Sequence, residues 1–391
     1  MNTFETDGQY VAHTYARFPV EIVSGRGSIV TDGQGKEYID LGSGIAVNTF
    51  GHADEGWMKA VTDQLSKVSH TSNLFYTSPC ARLAEALCTR TGMKKVFFSN
   101  SGAEANECAI KAARGYGAAK WGKERYTIIT LNNSFHGRTI TTLAATGQET
   151  FHKDFNPLTP GFVSVPADDP AALRRAVEET DAIAIMFEAV QGEGGVLPLG
   201  KEFVKAMVDL AAEKELLLIA DEVQVGNGRS GKLFGYMNFD ITPDIVTTAK
   251  GLGGGLPIGA TLLGERVQDV FTPGSHGSTF GGNPAVCAGA LHILNRLDDS
   301  LLAEVQAKSR YIFDTLSGAE GVVGVSGLGL MIGIETVGDA KEILVKCRER
   351  GVIAITAKTK VRLLPALNIP MEQLKQAVAV LKEVCAECAK G

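Results

Sequence analysis

The chain lacks any uninterrupted apolar run approaching the roughly 20 residues a membrane span needs, so no membrane helix is expected. It also lacks a basic block: 38 Lys and Arg against 44 Asp and Glu leave a net charge of −6. Nucleic acid and anionic membranes are therefore not expected partners. The N-terminal stretch MNTFETDGQYVAHTY carries acids and no apolar segment, which argues against a cleaved secretory signal and makes the cytoplasm the expected compartment. Cysteines number 7, odd and scattered, a poor disulfide framework. Cys385 and Cys388 form a C-x-x-C within a helical pattern, but no second pair lies near, so no metal site is expected. Low-complexity tracts, repeats and disordered linkers are missing as well. The GLGGG after Lys250 lacks the G-x-G-x-x-G spacing and the acid expected downstream of a dinucleotide loop, and no Gly-Lys-Ser/Thr loop occurs. Nicotinamide and ATP chemistry are thereby disfavoured.

What is abundant is glycine, with 45 residues, many placed just after apolar runs. Such positions suit loops at strand ends, where the backbone must turn sharply or approach a ligand closely. Hydrophobic content of 45% with 21% charged residues describes a globular chain, and 391 residues suffice for two domains. Residues 20–50 alternate apolar positions with Gly-x and Asp-Gly turns, a pattern of short strands. From about residue 55 helices and strands alternate, the strands being KKVFF, YTIITL, DAIAIMFEA, LLLIA and DIVTTA. This order predicts an α/β fold with a mostly parallel central sheet covered on both faces. The expected division is a large domain over 61–284 and a smaller α/β domain assembled from both chain ends, 1–60 and 285–391.

Two segments carry the chemistry. LLLIADEVQVGNGRSG (216–231) sets Asp221 at the end of one apolar run, and DIVTTAKGLGGGLPIGA (244–260) sets Lys250 after another. An amine in this position can hold an aldehyde cofactor as a Schiff base, while the carboxylate keeps a pyridine nitrogen protonated so that the ring withdraws electrons. That is the minimum apparatus for pyridoxal-phosphate (PLP) catalysis. In SNSGAEANE (99–107) a strand gives way to a helix that Ser101 can cap, with Glu104 at capping-box spacing and Gly102 admitting an anion. The segment reads either as a phosphate site or as a well-capped helix without a ligand. In NNSFHGRT (132–139), Phe135 suits a planar ring and Arg138 a carboxylate; the alternative is a core aromatic and a surface arginine. His136 reads as a packing or hydrogen-bonding residue. In MFEAVQGEGG, Glu188 reads as a buried orienting carboxylate and Glu193 as a mobile acid that Arg362 of KVRLLPALNI can meet. A structural ion pair, or no pair, is an equal reading of those two.

In this order the segments resemble the class III (subgroup II) PLP-dependent aminotransferases of fold type I, from about Tyr15 to the C-terminal helix. DEVQ-x-G-x-GR-x-G, the lysine of AKGLGGGLPIGA and HGSTFGGNP together are a specific combination. The resemblance implies that Lys250 is the Schiff-base lysine and moves the proton between substrate and cofactor C4′, with Asp221 at the pyridine nitrogen. It implies ring contacts from Val223 and Phe135, Gln224 near the phenolic oxygen, and a phosphate held by Ser101, Gly102 and Ala103. Thr279 resembles a residue that reaches the phosphate of a neighbouring subunit, which implies a homodimer with shared sites. Arg138 and Arg362 match the two carboxylate anchors for 2-oxoglutarate and glutamate. Glu193 matches the acid that covers the second anchor when an amine donor is bound. Tyr15 matches a residue at the donor's far end, and Ser278 is assigned to the same pocket.

Within the class, HTYARFPVEIVSGRG, IDLGSGIAVNTFGH and RLLPALNI look most like the N-acetylornithine aminotransferase branch. The implied reaction converts N-acetylornithine and 2-oxoglutarate to N-acetylglutamate 5-semialdehyde and glutamate, a step of arginine biosynthesis. Ornithine, N-succinylornithine, N-succinyl-diaminopimelate and 4-aminobutyrate are the alternative donors. GHADEGW departs from the usual G-H-x-H-P, and Val225 and Asn227 depart from the commoner residues after DEVQ. A decarboxylase or racemase on this fold sits poorly with two carboxylate anchors, and Gln224 and Gly228 argue against an aminomutase. A non-catalytic binding module of the same fold would have no need of Lys250.

Overall fold

Five strands with fully buried side chains dominate the architecture: β5 (Ile128–Leu131), β7 (Ala184–Phe187), β10 (Leu217–Asp221), β11 (Ile245–Thr248) and β12 (Gly259–Leu263). Continuous apolar and β-branched runs of this length suit strands covered on both faces. Together with β4 (Lys95–Ser99) and β6 (Phe162–Val165) they form a seven-stranded sheet in the order β4-β12-β11-β10-β7-β5-β6. Only β12 runs against the rest, pairing antiparallel with β11 and with β4. The computed structural model describes residues 1–390, so the last position of the 285–391 segment lies outside it.

All five strands expected from the sequence are present; β6 and β12 are additions. The helices expected at the start of the alternation appear as Glu55–Leu65, Ser78–Thr91 and Gly102–Trp121. Every parallel strand of the large sheet ends on the same side. There the chain presents Ser101 after β4, Phe135 after β5, Glu188 after β7, Asp221 at the end of β10 and Lys250 after β11. Ligands bind at such carboxyl ends in open α/β sheets, because the loops there face no other strand.

The strands near the N-terminus, β1 (Ile22–Arg26), β2 (Ile29–Asp32) and β3 (Glu37–Asp40), form a second sheet that β15 (Val352–Ile353) joins in parallel beside β3. A third sheet contains β13 (Val322–Leu328), β14 (Met331–Thr336), β17 (Lys360–Leu363) and β16 (Ile355–Ala357) in that order. A short ribbon of β8 (Val190–Gln191) and β9 (Leu197–Pro198) follows β7. Arg362 pairs through its backbone with Gly333 on one side and Ile355 on the other, which fixes where its side chain begins.

Segment 41–49 links these parts. Leu41 O accepts a hydrogen bond from Leu364 N (2.6 Å), Thr49 O accepts one from Leu367 N (2.9 Å), and Thr49 Oγ1 donates to Gly251 O (2.7 Å). The strand bearing Arg362 and the loop bearing Lys250 are thus tied to one N-terminal stretch. Ser43, Ile45 and Ala46 hold positive φ there, held by Asp40 Oδ1, which accepts from Gly42 N and Ser43 N. Left-handed backbone at non-glycine residues persists only where its surroundings enforce it. All seven cysteines are free, and no described helix is long and apolar enough to cross a membrane.

Candidate active site

A cavity of about 410 Å³ opens at the carboxyl ends of the strands. Ser101, Gly102, Ala103, Phe135 and Arg138 line one part of its wall, and Asp221, Val223, Gln224 and Lys250 another. Sequence reasoning had named all nine. Glu188, His136, Asn106, Val47, Ala249 and Ile258 also face it.

Asp221 terminates β10 and is buried. Its Oδ2 accepts from Asn106 Nδ2 at 2.8 Å and meets His136 Nδ1 at 2.7 Å, and its Oδ1 accepts from Val223 N at 3.0 Å. A carboxylate taken out of water needs such partners to remain in place. His136 is therefore a hydrogen-bonding residue, as the sequence suggested. Asn106 escaped notice, because its partner lies 115 positions away and no local pattern marks the pair.

Lys250 follows β11 with a backbone φ of 43°, a left-handed conformation unusual for a side-chain-bearing residue. Asn227, one of the departures from the family pattern, braces this turn by donating to Thr248 Oγ1 and Ala249 O. Burial pulls the Lys250 ammonium below the ordinary lysine range, Arg362 pushes the same way, and Glu193 and Asp221 partly oppose them. An amine so placed is more readily neutral, the form that attacks a carbonyl carbon or accepts a proton. Val225, the other departure, packs in the core against Ala189 and Gly235, away from the cavity.

At the far side of the site Arg362 is 3% exposed. Its Nη1 donates to Glu193 Oε1 (2.6 Å) and to Gln224 Oε1 (2.9 Å), and its Nη2 to Glu193 Oε2 (3.2 Å). Gln224 Nε2 closes the triangle on Glu193 Oε1 at 3.1 Å. Of the readings open for Glu193 and Arg362, the structure contains the pair. Burial works against the Glu193 carboxylate, but Arg362 outweighs it and holds the group below its ordinary range. Gly192 is required here for space: a Cβ would lie 2.5 Å from the Gln224 amide carbon. Glu188 underlies the arrangement, accepting from Phe135 N (2.7 Å) and Gly192 N (3.0 Å); burial pushes it up to about 7.

The helix Gly102–Trp121 begins at the cavity wall. Ser101 Oγ accepts from Glu104 N at 3.1 Å, but Glu104 returns its bond to Asn100 N (2.5 Å) and not to the cap residue. The expected capping box is thus displaced by one residue, with the half-buried Asn100 as the donor in place of Ser101. A Cβ on Gly102 would lie 2.6 Å from Val223 Cγ1, so this glycine lets Val223 reach the cavity.

Five of the residues singled out in the sequence do not line the cavity of the single chain: Tyr15, Glu193, Ser278, Thr279 and Arg362. Glu193 and Arg362 reach it through Gln224. Tyr15 is 74% exposed, with the Arg17 guanidinium over its ring, and Thr279 is exposed. Ser278 Oγ is occupied within the chain, accepting from Asn100 Nδ2 and Gly281 N.

The cavity fits a flat, anionic, carbonyl-bearing guest. It offers a helix N-terminus for the anion, a buried carboxylate, a buried amine and apolar walls. Asn106 Oδ1 and His136 Nε2 are buried without partners among the described residues, and both residues line the cavity. Unsatisfied polar atoms at a cavity wall fit a site completed by a polar ligand.

Comparison with known proteins gives the same placement. The Aminotransferase class-III family matches residues 10–385. The acetylornithine aminotransferase of Haemophilus ducreyi is 50% identical over 385 residues, 98% of each chain. The N-acetylornithine aminotransferase of Stenotrophomonas maltophilia K279a superposes with a TM-score of 0.85 at 34% identity, over 98% of each chain. An ornithine aminotransferase of Toxoplasma gondii with PLP partly occupying its active site gives a TM-score of 0.94 at 31% identity, covering 99% of this chain and 94% of that one. The chain belongs to the class-III aminotransferases, a family of PLP-dependent enzymes, and has the mixed α/β architecture of fold type I.

Proposed function

We propose that the protein transfers the terminal amino group of N-acetylornithine to 2-oxoglutarate, giving N-acetylglutamate 5-semialdehyde and glutamate in arginine biosynthesis. The observation that carries this is the Glu193–Arg362 pair beside Lys250 and Asp221. A buried arginine covered by a displaceable acid serves a dicarboxylate when open and an amine-terminated chain when closed. The name shared by curated relatives at 42–50% identity supports the choice of donor.

PLP, when bound, supplies an electron-withdrawing ring that carries the amino group between the two substrates and acidifies the adjacent C–H. Ser101, Gly102 and Ala103 would hold its phosphate, Val223 and Phe135 its ring, and Asp221 its ring nitrogen. Lys250 Nζ then takes the proton from Cδ of N-acetylornithine and, in the second half-reaction, delivers one to Cα of the nascent glutamate. Arg138 anchors the carboxylate remote from the reacting carbon in both substrates. Arg362 takes the second carboxylate of 2-oxoglutarate once Glu193 withdraws, and Gln224 is free to turn from that pair toward the cofactor. The roles of Tyr15 and Ser278 at the donor's far end belong to the same proposal.

The working unit is read as a cytoplasmic homodimer. Leu74 (87% exposed) and Phe75 (70%) stand on the surface beside Thr279 and Phe280. Asn73 Nδ2 joins the two segments by donating to Ser278 O and Gly281 O, both at 2.9 Å. An apolar patch of this kind favours burial against a partner, and Thr279 within it suits a contact to the partner's phosphate. The division into 1–60 with 285–391 against 61–284 is part of the same reading, supported by β15 joining the N-terminal sheet.

The test is the absorbance of the purified holo-protein as each donor is added singly. Bleaching of the violet cofactor band by N-acetylornithine and its return with 2-oxoglutarate are expected. A band that only ornithine, an N-succinylated amine or 4-aminobutyrate bleaches would replace the donor, and a band that no amine bleaches would defeat the proposal.

A further inference from the structure

The two arginines read as carboxylate anchors differ in their partners. Arg362 is buried against Glu193, whereas Arg138 is exposed and pairs with no carboxylate among the described residues. What it has are rings. Its Cζ lies 4.2 Å from the centroid of Phe151 and 5.4 Å from that of Phe135. The two rings meet edge to face, with centroids 5.7 Å apart and planes at 75°.

Phe151 closes a single 3₁₀ turn, Glu149–Phe151, and is half-buried. Flanking residues tie that turn to the loop carrying Phe135 and Arg138 and to the helix Ile140–Ala145 that follows it. Gln148 Nε2 donates to Ser134 O (3.0 Å), Gly147 N donates to Ser134 Oγ (3.0 Å), and a His152 ring nitrogen lies 2.9 Å from Leu143 O. The ring is therefore held in place independently of the arginine that rests on it.

An aromatic face attracts a guanidinium without neutralising it, leaving the N–H edge available for an anion. An acidic neighbour would fix the same side chain but compete with substrate for its donors. Arginine also has many rotamers to lose on binding, and one already held on a ring loses fewer.

We propose that Phe151 is a positioning residue that presents Arg138 to the remote substrate carboxylate and so sets the KM for carboxylate substrates. The inference rests on reading Arg138 as that anchor.

The test is a double-mutant cycle on the holoenzyme, measuring kcat and KM for 2-oxoglutarate and competition by glutarate. The variants are Phe151→Leu, Phe151→Met, Phe151→Tyr, Arg138→Ala and Arg138→Ala with Phe151→Leu. Leucine and methionine are expected to raise KM about three- to tenfold, the size of one partly desolvated cation–π contact, with kcat held within about twofold. Tyrosine, which keeps the ring face, restores the KM. In the Arg138→Ala background, Phe151→Leu adds no further increase, because the group it acts through is gone. An equal increase in both backgrounds, or a fall in kcat at constant KM, overturns the inference and makes Phe151 a packing residue. If Arg138→Ala itself leaves the KM unchanged, the anchor reading fails as well. If Arg138→Ala raises it while leucine and methionine do not, only the role of Phe151 fails. Should the leucine chain not fold, the methionine and tyrosine chains decide by the same criteria.

Discussion

Replacing Glu193 by alanine tests the gate at its hinge point. In the closed arrangement Arg362 is 3% exposed and makes two of its three hydrogen bonds to this one carboxylate. Removing it leaves a buried guanidinium with only Gln224. Hydrogen bonds between charged groups contribute about 1.5–3 kcal/mol each, and breaking a buried pair costs about 3–5 kcal/mol. Because the Glu193 side chain is 27% exposed and water enters once it is removed, a net figure of about 2 kcal/mol is appropriate. With 2-oxoglutarate bound, a substrate carboxylate takes the vacated position, so the loss is made good. With N-acetylornithine, whose reacting end has no carboxylate, it is not. Relative to the 2-oxoglutarate half-reaction, the amine half-reaction should therefore weaken about 30-fold. Rapid mixing of holoenzyme with one substrate at a time, followed by cofactor absorbance, separates the two. Equal loss in both directions would refute the gate and leave Glu193 a structural acid.

Other expectations follow from neighbouring contacts. Gly102→Ala should weaken PLP binding about tenfold or more, since its Cβ would press on Val223 from 2.6 Å; titration of apo-protein by fluorescence reads this, and unchanged affinity would mean Val223 has room to retreat. Dimers mixed from Lys250→Ala and Thr279→Ala chains should regain activity, because one of their two sites escapes both lesions. No regained activity would count against Thr279 crossing between subunits. Burial pushes the Glu222 carboxyl up to about 8, against 4.5 for an ordinary glutamate, while Gly235 N and Tyr236 N donate to it. The folded chain thus holds a proton that the unfolded chain releases, and stability from this group is full below about pH 4.5 and falls as pH rises toward 8, at up to about 1.4 kcal/mol per unit. Glu222→Gln should flatten that decline in urea titrations between those pH values; parallel curves for both proteins would contradict it.

Asp221 and Lys250 were legible because each ends an apolar run, and a run's length and its stop are local properties. The same holds for β4, β5, β7, β10 and β11. β12 is not named among the expected strands, since GATLL follows the glycine-rich loop with no turn between them and its antiparallel sense leaves no trace in composition. Asn106 and segment 41–49 act on residues more than a hundred positions away, through contacts that only the folded sheet creates. Gln224 was tied to the cofactor by resemblance alone; its place between Glu193 and Arg362 depends on β17 and the ribbon after β7 converging. The one-residue displacement of the capping partner shows the limit of spacing rules, which name the helix start but not which donor lies open beside it.

The position of β12 also governs how the protein can be made. β4 has no other partner in the large sheet, and β12 follows Lys250 by only a few residues. On the ribosome β4 must wait unpaired while some 160 residues are added, and β3 keeps one edge open until Val352–Ile353 emerge. The wall that carries Ser101 therefore docks only after the lysine has been synthesised, and the strand of Arg362 arrives later still. A nascent chain of this protein has no formed aldehyde trap, and cofactor loading becomes an event of the finished polypeptide.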